Sequence, residues 1–152
     1  MLIDMNAAIL RDQHPVDIGR QRVVLPQPDE VPALMTAYTH EVNSRVRALL
    51  LSKPERENLV MEVVALACDA HTMFVHIHPF PDGIGLQSRI ISGLVLQSFG
   101  LPMPLIEQEK REEYIKAVGA AVTGRQYDGL CLMFAEGVLD SLRFIDALLQ
   151  PS

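Results

Sequence analysis

Along most of the chain apolar residues return every three or four positions, the spacing of a helix face rather than a strand. From Val31 to Leu51 the recurring set is Leu34, Met35, Tyr38, Val42, Val46 and Leu49, which predicts a helix with one buried face. Ser52-Lys53-Pro54-Glu55 then predicts a new start, because Ser52 and Glu55 fit a capping box and Pro54 fits a first turn. The second helix carries Leu59, Val60, Val63, Val64, Leu66, Ala67 and Phe74 and runs to Val75 or His76. Its apolar residues nearly surround it, so it is expected at the centre of the fold. A third helix runs from Ile84 to Phe99 on Ile90, Ile91, Leu94 and Val95, and Gly100, Pro102 and Pro104 stop it. A fourth spans Glu107 to Thr123, with Tyr114, Ile115, Val118 and Val122 inward and Gly124 as its end. The last begins near Asp128, a good cap, and carries Leu130, Met133, Phe134, Val138, Leu142, Ile145 and Leu149.

The N-terminal part reads differently. Residues 1–13 are compatible with a short helix, while Pro15, Gly19, Pro26 and Pro28 punctuate the stretch from His14 to Val31. Gln21-Arg22-Val23-Val24-Leu25 is the sole β-favouring run, read as a loop or small hairpin on the surface of a helical body. No internal repeat is visible. The expected fold is all-α with one short β excursion, in a single domain over residues 1–152.

Composition narrows the function classes. A chain of 152 residues with 49% hydrophobic residues suits one domain with a real core. A formal charge of −6, with Lys and Arg scattered, argues against nucleic acid held on a basic surface. Cys68 and Cys131 lie inside apolar helical patterns and read as buried free thiols. Met1–Leu10 contains Asp4 and no basic stretch, which weighs against a signal peptide, and Ile90–Ile106 is too interrupted to span a membrane. The expectation is a cytoplasmic protein without a membrane partner.

The chemistry concentrates in His78-Pro79-Phe80-Pro81-Asp82-Gly83-Ile84-Gly85, between the second and third helices. The prolines forbid helix there, and the glycines permit backbone conformations closed to other residues. Gly83, Ile84 and Gly85 are expected to present N–H groups at a helix start, where the helix dipole favours an anion. His78 is either a packed core group or an acid–base catalyst on a rigidly held turn. Asp82 is either a turn-former or a ligand for a divalent cation. Arg89, about a turn into the helix, reaches a bound anion or extends to solvent. His71, His76 and His78 raise the thought of a transition metal, but no third ligand has recognisable spacing.

Residues 78–89, HPFPDGIGLQSR, resemble the signature of Fic-domain proteins, His-Pro-Phe-x-Asp/Glu-Gly-Asn-Gly-Arg-x-x-Arg. The resemblance extends outward over Pro28–Leu51, the upstream Ala70–Ile77 and Arg111-Glu112-Glu113-Tyr114-Ile115-Lys116-Ala117, and covers about residues 16–147. It implies a Fic-like helical bundle with a β-hairpin flap at about 16–26 and a motif loop at 78–89. It also implies transfer of an AMP-like or related phosphate-containing group onto a hydroxyl. In that reading His78 is the general base, Asp82 the Mg²⁺ ligand, Gly83, Ile84 and Gly85 the anion hole, and Arg89 the second arginine near the nucleotide phosphates. The implied cofactors are Mg²⁺ and an ATP-like triphosphate; the implied acceptor is a protein or small-molecule hydroxyl, with a regulatory partner chain possible.

Two positions depart from the family pattern: Ile84 stands where the family has Asn, and Leu86 where it has the first Arg. Placed charge supplies most of the catalysis in phosphoryl-type transfer, and losing one donor costs about 10²–10³ in rate. An altered donor or reduced activity is therefore expected, and both substitutions are expected to make the mouth of the cradle more apolar. The alternatives are a Fic-fold enzyme repurposed for acid–base chemistry on a small molecule, or an inactive binding module. The family's inhibitory pattern, Ser/Thr-x-x-x-Glu-Gly/Asn, fails at Glu136-Gly137, because Leu132 stands four positions earlier.

Overall fold

The computed structural model describes residues 16–52 and 55–150, apart from the side chains of Arg56 and Glu57. In chain order the elements are β1 (Val16–Ile18), β2 (Gln21–Val23), α1 (Val31–Ser52), α2 (Arg56–Ile77), α3 (Ile84–Gln97), α4 (Arg111–Gly124) and α5 (Asp128–Leu149). A 3-10 turn, Gln108–Lys110, leads into α4. The predicted short helix over 1–13 lies outside the described residues.

Helix α2 is the centre of the bundle, as its near-continuous apolar circumference predicts, and α1, α3, α4 and α5 all pack on it. Val63, Leu66, Ala67, Cys68, Ala70 and His71 are fully buried or nearly so. By length and composition α2 would also pass for a membrane span, but 61% of that window is buried inside the bundle, the mark of a core helix. Across from it, Leu96 of α3 and Leu130 and Phe134 of α5 have essentially no exposed surface. Truncating a buried Phe of this kind costs about 3–5 kcal/mol. Polar links tie the helices together: Tyr38 donates its hydroxyl proton to the Ala70 carbonyl at 3.0 Å, and Arg45 pairs with Asp69 at 2.7 Å. Half-exposed as it is, the ion pair contributes at most about 1 kcal/mol.

The hairpin forms as the β-favouring run predicts. β1 and β2 pair antiparallel with Val16 opposite Val23 and Ile18 opposite Gln21. The flap lies on α4, where Thr123 Oγ1 donates to Gln21 Oε1. Backbone meets backbone there, since a Cβ on Gly119 would collide with the Ile18 carbonyl oxygen. Only glycine allows that approach.

Several local expectations are corrected. Glu55 is the N-cap of α2 but makes no side-chain cap bond, and Ser52 instead bonds the Leu49 carbonyl within α1, so the capping box does not form. Gly124 is still helical, and Arg125 takes the left-handed closing position at φ 52°. Tyr127, not Asp128, caps α5, and Asp128 sits in its first turn, where its charge favours the helix dipole. Leu142, Ile145 and Leu149, expected inward, are exposed, because α5 outruns the helices it packs on. The cysteines are free; hydrogen bonding to the half-buried Cys131, together with burial, holds the Cys68 thiol protonated.

The Gly119 contact yields a prediction. Gly119→Val displaces the hairpin while the helices persist, so amide hydrogen exchange over Val16–Val23 accelerates strongly with little change in helical circular dichroism. Unchanged exchange there would refute the backbone-on-backbone docking.

Candidate active site

The loop between α2 and α3 is a short elbow bounded by two left-handed residues. His78 closes α2 at φ 51°, and its N–H bonds the Phe74 carbonyl at 3.0 Å. A non-glycine residue in this region is uncommon, and here the following Pro79 keeps His78 from continuing the helix. Gly83 opens α3 at φ 78°, a conformation that costs any other residue strain. Gly85, expected to share that role, has no positive φ and open space where a Cβ would sit, so only Gly83 is used for its conformation.

His78 is half-buried, neither sealed in the core nor fully solvated. Its Nδ1 lies 3.3 Å from the Val75 carbonyl oxygen, a bond that requires the proton on Nδ1. Nε2 is then the basic nitrogen of the ring, the tautomer a general base needs. Asp82 is exposed, and one of its carboxylate oxygens accepts the Gly83 N–H at 2.7 Å. That bond takes one amide out of the expected anion cradle. The remaining amides belong to Ile84 and Gly85, the first two helical residues, whose N–H groups a helix cannot satisfy internally. They meet the positive end of the α3 dipole, the arrangement that favours an anion.

The two departures from the family signature behave differently. Ile84 is buried, 7% exposed, and its side chain belongs to the core. It therefore does not line the mouth of the cradle, contrary to expectation. Leu86 is 58% exposed, so of the two substitutions it is the one that can make the rim more apolar. The Mg²⁺ expectation fits the donors present. One exposed carboxylate oriented by its neighbour's amide is what a cation held mainly by substrate phosphates and water requires. A transition-metal site does not fit: His71 is sealed, His76 is exposed, and no cluster of three His, Cys, Asp or Glu exists among the described residues.

Behind the elbow lies a buried polar group that periodicity does not reveal. His71 on α2 has no exposed surface; its Nε2 is 2.6 Å from the Tyr114 hydroxyl on α4 and 3.1 Å from Ser88 Oγ on α3. Ser88 also donates to the Gly85 carbonyl at 3.2 Å, and Phe134 of α5 meets the imidazole edge-on at 5.5 Å. Burial first, and then the positive charge of Arg89, push the His71 pKa down to about 3. Burial pushes the Tyr114 hydroxyl up to about 12, against the pull of Arg89, whose guanidinium carbon lies 5.8 Å from the centre of its ring. The sequence signal that could have found this group is Ser88, a hydroxyl on a mostly apolar helix, since buried polar groups need partners.

A helical bundle with a hairpin flap and a histidine–glycine elbow at a helix N-terminus defines the class to which the comparisons point. The family model of the Fic/DOC family matches residues 1–96, and the chain belongs to that family. Among curated relatives, the protein adenylyltransferase Fic of Nematostella vectensis is 27% identical over 124 residues, covering 81% of this chain and 28% of its own. That of Drosophila grimshawi is 29% identical over 121 residues, covering 74% of this chain and 23% of its own. The chain thus spans about a quarter of the length of these relatives. A Fic domain containing signaling protein from Bacteroides thetaiotaomicron shares the fold with a TM-score of 0.66 at 23% identity, over 89% of this chain and 53% of that one.

Neutral burial of His71 links stability to pH. The unfolded chain takes up a proton on this ring near its ordinary value of 6.5, whereas the folded chain resists until about 3. The stability is complete above about pH 6.5 and declines as the pH falls toward 3, by roughly 1.4 kcal/mol per pH unit. Urea denaturation at pH 7 and pH 5 checks it: wild type loses about 2 kcal/mol from this ring, and His71→Gln loses that slope. An equal slope in both would contradict the assignment.

Proposed function

We propose that this chain is a Fic-type transferase that moves an AMP-like, phosphate-containing group onto a hydroxyl, at reduced rate. The observation that carries the reading is the elbow itself, where one basic imidazole nitrogen, one exposed carboxylate and two unsatisfied helix-start amides are gathered within eight residues. The names of the curated relatives, adenylyltransferases, support the same class. In this reading His78 Nε2 takes the proton of the acceptor hydroxyl as its oxygen bonds the α-phosphorus. The bond from that phosphorus to the bridging oxygen breaks, and pyrophosphate leaves. The amides of Ile84 and Gly85 hold the phosphate oxygens, and Arg89 adds positive charge. Asp82 would hold Mg²⁺, which would neutralise phosphate charge when bound. The flap edge would align the acceptor by strand addition.

Reduced rate follows from Leu86. Where the family signature has an arginine this chain has an exposed aliphatic side chain, so one cation for the β- and γ-phosphates is missing. Transferred phosphoryl charge is stabilised mainly by such groups. Ile84 has a different consequence, because its side chain is committed to packing.

Isothermal titration calorimetry with Mg²⁺ and ATP tests the reading. Wild type binds, Asp82→Ala weakens binding in the presence of Mg²⁺ but not in its absence, and no binding at millimolar nucleotide would overturn the proposal. Repair of the signature is predicted to be asymmetric. Leu86→Arg gains ATP affinity or automodification at unchanged stability, while Ile84→Asn loses about 1–3 kcal/mol by burying an amide in the core. Thermal denaturation of the two single variants, beside the titrations, reads this asymmetry; equal stabilities would contradict it.

A further inference from the structure

We infer that Tyr114 is a positioning residue that holds the Arg89 guanidinium against its ring, and that His71 in turn fixes Tyr114. The inference rests on the transferase reading for the use made of Arg89, but the placement of Arg89 stands without it. Arg89 emerges from α3 one turn beyond the helix-start amides, and a flexible side chain there has many rotamers to lose. The structure gives it a seat: its guanidinium carbon lies 5.8 Å from the centre of the Tyr114 ring, within the range of attraction between a cation and an aromatic face. Tyr114 belongs to α4, so a residue outside the signature loop sets the position of one inside it.

The seat is itself held rigidly. Tyr114 is 5% exposed, and its hydroxyl is 2.6 Å from His71 Nε2. A neutral imidazole has one donor and one acceptor nitrogen. The Ser88 hydroxyl gives its proton to the Gly85 carbonyl, and His71 Nδ1 has no partner among the described residues. The arrangement that leaves fewest groups bare has Tyr114 donating to Nε2, with the imidazole proton on Nδ1. The tyrosine oxygen then keeps its lone pairs, and none of its positive end, for the side nearest Arg89. A protonated His71 would reverse this, placing a donor against the tyrosine oxygen and a second cation behind the first. One unpartnered buried nitrogen is the cost of keeping that polarity.

With Leu86 in place of the first arginine, Arg89 is the one cation that the signature loop retains, so its placement carries more of the phosphate binding here than a pair of arginines would require. Two substitutions separate the ring from the hydroxyl: Tyr114→Phe keeps the aromatic face, and Tyr114→Met fills similar space without one. The Nε–H of Arg89, assigned by its loss in Arg89→Lys, is expected to show an upfield ring-current shift in proton–nitrogen correlation spectra of wild type and Tyr114→Phe. That shift disappears in Tyr114→Met. Calorimetry with Mg²⁺ and ATP reads the consequence: Tyr114→Met weakens binding about tenfold, Tyr114→Phe by less than about threefold, and adenosine binding is the same in all. An Arg89 signal at its random-coil position in folded wild type would overturn the inference, as would equal ATP affinity in Tyr114→Met and wild type. Should wild type not bind ATP at all, the transferase reading falls, while the ring-current shift still decides where Arg89 is held.

Discussion

One buried imidazole connects four of the five helices among the described residues. His71 belongs to α2, accepts the hydroxyl proton of Tyr114 of α4, lies 3.1 Å from Ser88 Oγ of α3, and rests its ring against Phe134 of α5. A neutral, fully buried histidine is tolerated only because hydroxyls reach it, and those hydroxyls fix the rotation of α3 about its axis. That rotation decides which residues of the loop and first turn face outward and which face the core. The elbow is therefore built from behind: packing and hydrogen bonding below it set what it can present above.

The consequence is clearest in the first turn of α3. Ile84 points inward and joins the core, Leu86 points outward, and Ser88 points back to His71. The two departures from the family signature are thus unlike in kind. One exchanges a polar side chain for core packing, and the other leaves a charge missing at the rim. The backbone amides at the same helix start are unaffected by either, because their direction depends on the helix axis and not on side chains.

Much of this was legible in the sequence. The helical spacing, the hairpin run between prolines and the histidine–glycine loop all depend on local physics and stand where the pattern puts them, whereas α3 ends at Gln97 rather than Phe99 and α4 begins at Arg111 rather than Glu107. What the sequence does not carry is the choice between chemically similar neighbours and the length over which a helix is covered. Ser52-x-x-Glu55 satisfies the capping-box pattern, yet Ser52 is drawn into the last turn of α1 and bonds there instead. Asp128 and Tyr127 compete for one cap position, and Tyr127 takes it. The apolar stripe of α5 continues to Leu149 without any change of pattern, although α2 and α4 cover only its first half. Ile84 reads as part of the anion cradle by its place in the motif, and its burial follows from tertiary rotation alone. His71 reads as one of three histidines, and only the fold shows that it is the one sealed away.

The α3 N-terminus, with His78 beside it, is proposed to face phosphate. A crystal structure with Mg²⁺ and a non-hydrolysable ATP analogue tests it most directly. Phosphate oxygens within hydrogen-bond distance of the Ile84 and Gly85 amides, with His78 Nε2 turned toward the α-phosphorus, are the predicted result. A nucleotide seated elsewhere on the bundle, with those two amides bonded to the protein's own groups, would contradict the account.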